Sequence, residues 1–159
     1  VKEHHLQISF QTTNLASVNS VDQYLLTKAE EMAAKAYAPY SEFKVGASLH
    51  LSTEQFVDGN NQENAAYPSG LCAERVAIFS ARSQYPQADI QAIAIYVPTE
   101  GENIMPSPCG ACRQVLSEVQ SLQSFPIRIL LMNKEHKVWI FSGADTLLPF
   151  SFSARHLNS

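Results

Sequence analysis

An excess of positive charge, a long apolar run and an even set of cysteines are all missing from this chain of 159 residues. Lysine and arginine number 11 against 15 aspartates and glutamates, for a net charge of -4, and only 16% of residues are charged. A phosphate backbone is held by clustered Lys and Arg, so this balance speaks against nucleic acid as a partner. No run approaches the roughly 18 apolar residues of a membrane-spanning helix, so no membrane insertion is expected. The opening "VKEHHLQISFQTTN" has no apolar core of a secretory leader, and the expected location is cytoplasmic. No repeat or Gly/Ser-rich linker interrupts the chain. Residues 1–159 therefore read as one domain, with residues 1–19 as an N-terminal extension. At 45% apolar residues it can bury a core without covalent staples. The low charge and the apolar tail "DTLLPFSFSARHL" point to surface covered by other subunits.

The order of elements can be read from periodicity and punctuation. A capping-box pattern, Ser20 with Gln23, precedes a helix expected over about residues 21–37, with Val21, Tyr24, Leu25, Lys28, Met32 and Ala36 as its stripe. Pro39 interrupts, and "KVGASLHLS" and "QFVDGNN" alternate like a hairpin. A second helix is expected from Cys72 to near Tyr85, ended by Pro86, with Val76, Ala77, Phe79 and Ser80 at helical spacing. "IQAIAIYV" reads as a strand covered on both faces. A third helix follows Pro108, with Val115, Leu116 and Val119 inward, and "IRILLMN" and "KVWIF" are two further strands. This order gives an α/β fold, a layered α/β/α domain with a mixed sheet of about five strands.

Three cysteines cannot close a disulfide set, so their spacing matters. Cys109 and Cys112 stand one turn apart at a helix start, where the free N–H groups and the helix dipole stabilise thiolates. By themselves they fit either a redox dithiol or half of a zinc site. Cys72 also begins a helix, so three thiolates can converge where two helix N-termini meet, leaving a tetrahedral zinc with one open position. His4, His5, His50, His136 and His156 read as ordinary surface residues with no motif linking them to the cysteines. An open position implies catalysis, which needs a group to move protons, and Glu74 in the first turn beside Cys72 is placed for it. Three thiolates also leave excess negative charge on the metal. A guanidinium from Arg75 would offset it, and Arg113 could serve similarly.

The motifs "CAER" and "PCGACRQV" resemble the two signatures of the cytidine deaminases, with "AYAPYSEFKVGA", "GNNQENAAYPSG" and "LLPFSF" extending the resemblance over about residues 20–156. It implies a zinc-dependent hydrolytic deamination of cytidine and deoxycytidine to uridine and deoxyuridine with release of ammonia, in pyrimidine salvage. It further implies one zinc per subunit on Cys72, Cys109 and Cys112, Glu74 as proton shuttle, and the Ala73 backbone N–H at the reacting oxygen. By the same resemblance Asn61 and Glu63 bind the ribose hydroxyl, Phe43 packs along the nucleoside, and Phe152 stacks on the base from a neighbouring subunit. Tyr67 crosses a subunit interface of a homotetramer with shared sites. On composition alone Phe43, Tyr67 and Phe152 would be core residues. Alternatives from the same motifs are deamination of another cytosine nucleoside, such as a nucleoside antibiotic, or a non-catalytic zinc or redox module.

Overall fold

The computed structural model describes residues 1–101 and 103–157. Its principal elements are β1 (Gln11–Asn14), α1 (Ser20–Ala34), β2 (Gly46–Leu51), β3 (Phe56–Asn60), α2 (Ala73–Gln84), β4 (Ile90–Tyr96), α3 (Gly110–Ser121), β5 (Arg128–Met132) and β6 (Lys137–Phe141). The strands form one sheet in the order β1-β6-β5-β4-β2-β3, in which β4 and β5 are parallel and every other pair is antiparallel. The sheet thus has six strands rather than the expected five. The added strand is β1, inside the N-terminal extension, which pairs with β6 from Gln11 opposite Ile140 to Asn14 opposite Lys137. Just before it, the Phe10 ring stacks on Phe141 at 5.3 Å. No helix among the described residues is long and apolar enough to cross a membrane.

Alternation along β4 builds the two cores. Ile93 and Ile95 point to one side, into a cluster with Ala77, Ile78, Leu116 and Val119 of α2 and α3. Ala92, Ala94 and Tyr96 point to the other, where Leu25, Leu26, Ala29 and Ala33 of α1 cover the sheet. This gives the α/β/α layering. Full burial of Leu25 and Leu26 contributes roughly 1.5–3 kcal/mol for each side chain.

The inward face of α1 is Asp22, Leu25, Leu26, Ala29 and Ala33, so the expected stripe is corrected: Val21 and Tyr24 are exposed. Asp22, only 2% exposed, turns inward because Arg128 of β5 reaches it with two hydrogen bonds of 2.6 and 3.2 Å. The helix is capped by Asn19 rather than Ser20. The Asn19 side chain accepts from the Asp22 N–H at 2.9 Å and donates to the Asp22 carboxylate at 2.8 Å. In α2 the buried residues are Ala73, Glu74, Ala77, Ile78 and Ala81, and Phe79 faces outward. His50 is likewise not a surface residue: it is buried in β2 with its ring stacked on Phe56 at 4.9 Å.

Two glycines set how closely the helices lie on the sheet. A Cβ on Gly46 would stand 1.9 Å from the Ala29 carbonyl oxygen of α1, and one on Gly59 would stand 2.6 Å from the Ala77 nitrogen of α2. Backbone atoms cannot yield as a flexible side chain would. Gly46→Ala is therefore expected to destabilise the fold by about 1–3 kcal/mol. Thermal unfolding should show it as a fall in Tm of roughly 2–4 °C per kcal/mol. An unchanged Tm would mean that α1 does not need this close approach.

Candidate metal centre

Cysteine is not a favoured helix N-cap, yet both α2 and α3 begin on one. Cys72 and Cys109 occupy the cap positions with extended backbones, at φ -71 and -66, and neither side chain makes a capping hydrogen bond. The sulfurs are instead placed at the positive ends of two helix dipoles. Close packing of α2 on Gly59 and of α3 on the same core fixes these two ends relative to one another. Cys112 follows one turn into α3 and is fully buried.

The three sulfurs all lie within 4.8 Å of one another, with Cys72 to Cys109 at 3.9 Å and Cys109 to Cys112 at 3.5 Å. A tetrahedral zinc with bonds of about 2.3 Å needs its sulfurs about 3.8 Å apart, so the donor set fits that ion. Among the described residues no histidine or carboxylate joins the cluster. Three protein donors leave the fourth position for water or substrate. Hydrogen bonding with Cys112, aided by Arg75, lowers the Cys72 thiol to about 5 against its partial burial. The same pairing, with burial and the nearby Glu74, pushes the Cys112 thiol upward.

Arg75 sends Nη2 to the Cys72 sulfur at 3.7 Å, a contact that suits the offsetting of thiolate charge proposed for it. Its Nε is buried and makes no hydrogen bond among the described residues. Arg113 does not share this role. Its Nε donates to the Pro108 carbonyl at 2.8 Å and its Nη1 to the Leu147 carbonyl at 3.1 Å, so it braces loops instead.

Glu74 sits in the first turn of α2 and is only 4% exposed. Burial raises its pKa, with the Cys72 charge acting in the same direction. A carboxyl so placed holds a proton more readily than a solvated one and can both give and take it. Ala73 is fully buried, and its N–H belongs to the turn whose amides have no acceptor within the helix.

Beside the metal centre lies a cavity of about 490 Å³ that includes Tyr40, Asn61, Glu63, Tyr67, Cys72 and Arg75 in its wall. This is within the usual range for a small-molecule site. It meets the metal centre through Cys72 and Arg75. Glu63 accepts from the backbone N–H groups of Tyr40 and Ser41 at 3.0 and 3.2 Å, and from the Ser41 hydroxyl. These bonds, the Ser41 hydroxyl foremost, hold its carboxyl below the usual range. Asn61 accepts from the Val45 N–H at 2.8 Å and donates to the Phe43 carbonyl at 2.9 Å. Both residues therefore shape the segment 40–45 that carries Phe43, an engagement their spacing did not disclose.

Phe43, Tyr67 and Phe152 are 43%, 76% and 57% exposed, so none is a core residue. Tyr67 packs edge-on against Tyr40 at 6.1 Å, and Phe152 stacks on His156 at 5.3 Å. Tyr40 and Ser41 join the cavity wall through Glu63 without any motif of their own. Nothing local marks them, because their role depends on Glu63, more than twenty positions away.

A layered α/β/α domain with three thiolates at paired helix ends and a buried carboxyl beside them defines the class: a metal-dependent enzyme with an open coordination position. Residues 19–125 match the family model described as the cytidine and deoxycytidylate deaminase zinc-binding region, and the chain belongs to this family. It is 37% identical over 136 residues to a cytidine deaminase of Halalkalibacterium halodurans, covering 86% of this chain and 97% of that protein. It is 43% identical over 134 residues to one from Sporosarcina psychrophila, covering 84% and 93%. The fold is similar to a crystal structure of cytidine deaminase from Burkholderia pseudomallei, with a TM-score of 0.72 and 40% identity over 81% of this chain and 97% of that one. The family model begins at residue 19, after β1.

Proposed function

We propose that the protein catalyses the zinc-dependent hydrolytic deamination of cytidine and deoxycytidine, yielding uridine or deoxyuridine and ammonia. The observation that carries this reading is the meeting of Cys72, Cys109 and Cys112 beside the buried Glu74, in a chain of the deaminase family. When bound by the three thiolates, zinc supplies Lewis-acid activation of water at neutral pH. Glu74 takes one proton from the attacking water and gives it to N3 of the pyrimidine. It then moves a second proton from the new C4 hydroxyl to the departing amine, so that the C4–N bond breaks and the carboxylate is restored. The Ala73 N–H steadies the reacting oxygen.

Asn61 and Glu63 are read as the ribose contacts. A carboxylate offers about four acceptor sites, and Glu63 uses three on Tyr40 and Ser41, which leaves one for a sugar hydroxyl. Phe43 packs along the nucleoside, and Phe152 and Tyr67 serve sites shared between the subunits of a homotetramer. The exposure of all three rings in the single chain supports that assignment. We read residues 1–159 as one domain. Cytoplasmic residence fits three cysteines kept as free thiols.

The test is ammonia release by the zinc-loaded protein from cytidine, deoxycytidine, cytosine, cytidine monophosphate and a cytosine-containing oligonucleotide. Turnover is expected with the two nucleosides alone. Activity on the oligonucleotide, or inactivity across the whole panel, would overturn the assignment.

A further inference from the structure

The two side chains that follow Cys112 each hydrogen-bond to the C-terminal tail. Arg113 joins the carbonyl of Pro108, just ahead of Cys109, to that of Leu147, where the tail begins. Gln114 donates from Nε2 to the Phe152 carbonyl at 2.8 Å, across 38 positions of sequence. Among the described residues this is the sole side-chain hydrogen bond to residues 148–152. Beyond Phe152 the tail is ordered by its own contacts. The Ser153 N–H donates to His156 Nδ1 at 3.1 Å, and the His156 ring lies 5.3 Å from that of Phe152 at 19°.

We propose that Gln114 is a positioning residue for the reaction: by fixing the Phe152 carbonyl to the first turns of α3, it sets where the Phe152 ring is presented to the base. This rests on the reading of Phe152 as the base-stacking ring. A stacked ring gains contact only over a narrow range of offsets, with centroids about 4.5–7 Å apart. A tether at the backbone of the same residue controls that offset most directly. Arg113 shares the bracing but also holds the loop that leads into Cys109, so its loss would disturb zinc and tail together. Gln114 touches the tail without touching a metal ligand, which makes the two roles separable.

The experiment is a double-mutant cycle on the full-length, zinc-loaded enzyme with cytidine, using Gln114→Ala, Phe152→Ala and both together. Gln114→Ala is expected to raise KM about three- to tenfold, the loss of one modest hydrogen bond. kcat should stay within about twofold, since the proton-moving group is untouched. Zinc content and Tm should not change. Gln114→Glu, which keeps the size but removes the donor, should raise KM at least as much. In the Phe152→Ala background the effect of Gln114→Ala should vanish, because the tethered ring is gone. If Phe152→Ala leaves KM unaltered, the stacking assignment fails and the tether with it. If Phe152→Ala raises KM but Gln114→Ala does not, or if the two effects simply add, the stacking assignment stands and the tether is overturned. Loss of zinc or of thermal stability in Gln114→Ala would mean a structural role instead.

Discussion

Glu74→Gln is expected to lower kcat by about 10²- to 10⁴-fold, the usual contribution of a positioned general acid–base group, while zinc content is retained. Glutamine matches the shape and fills the same buried space, so packing around the 4%-exposed side chain survives. It can hydrogen-bond to N3 but cannot carry a proton from water to N3 and on to the amine. KM should move far less than kcat, because the proposed ribose and stacking contacts are assigned to other residues and the hydrogen bond to N3 is kept. Parallel metal analysis and steady-state kinetics check this. A variant of normal kcat would remove Glu74 from the mechanism, and one that had lost zinc would show it to be a structural support of the centre.

Cys112→Ala is expected to abolish both zinc binding and turnover. Cys72 and Cys109, 3.9 Å apart, would remain as two donors, one of them exposed, too few to hold a catalytic zinc. A ligand that binds only the folded state stabilises it by mass action. The wild-type Tm should therefore rise with added zinc and fall on chelation, whereas the Tm of Cys112→Ala should respond to neither. Stoichiometric zinc in Cys112→Ala would displace this residue from the ligand set. Reversible formation of a Cys109–Cys112 disulfide in zinc-loaded wild-type protein would favour the redox alternative.

The parts legible in the sequence were those specified locally. Pro86 and Pro108 marked where α2 ends and α3 starts, and the alternating hairpin and the apolar β4 run carried their own period. The metal centre was legible because its ligands sit at helix starts, and chain punctuation reveals those positions. What escaped was specified at a distance. β1 is the polar tetrad Gln11–Asn14, which becomes a strand only because β6 offers it an unpaired edge. Asp22 reads as an outward residue until Arg128, 106 positions later, draws it in and rotates the α1 face that meets the sheet. Arg113 follows a zinc ligand and resembles a thiolate partner, but two carbonyls claim its donors first. Asn61 and Glu63 are expected from the family motif as ribose contacts, but their hold on segment 40–45 follows from a loop path that spacing does not encode.

The most direct measurement is deamination of cytidine by the zinc-loaded wild-type protein in water enriched in heavy oxygen, with the product analysed by mass spectrometry. The expected result is uridine bearing the heavy oxygen at C4, with one ammonia released for each uridine formed. No uridine from zinc-replete protein, or uridine without the label, would contradict hydrolysis at this centre.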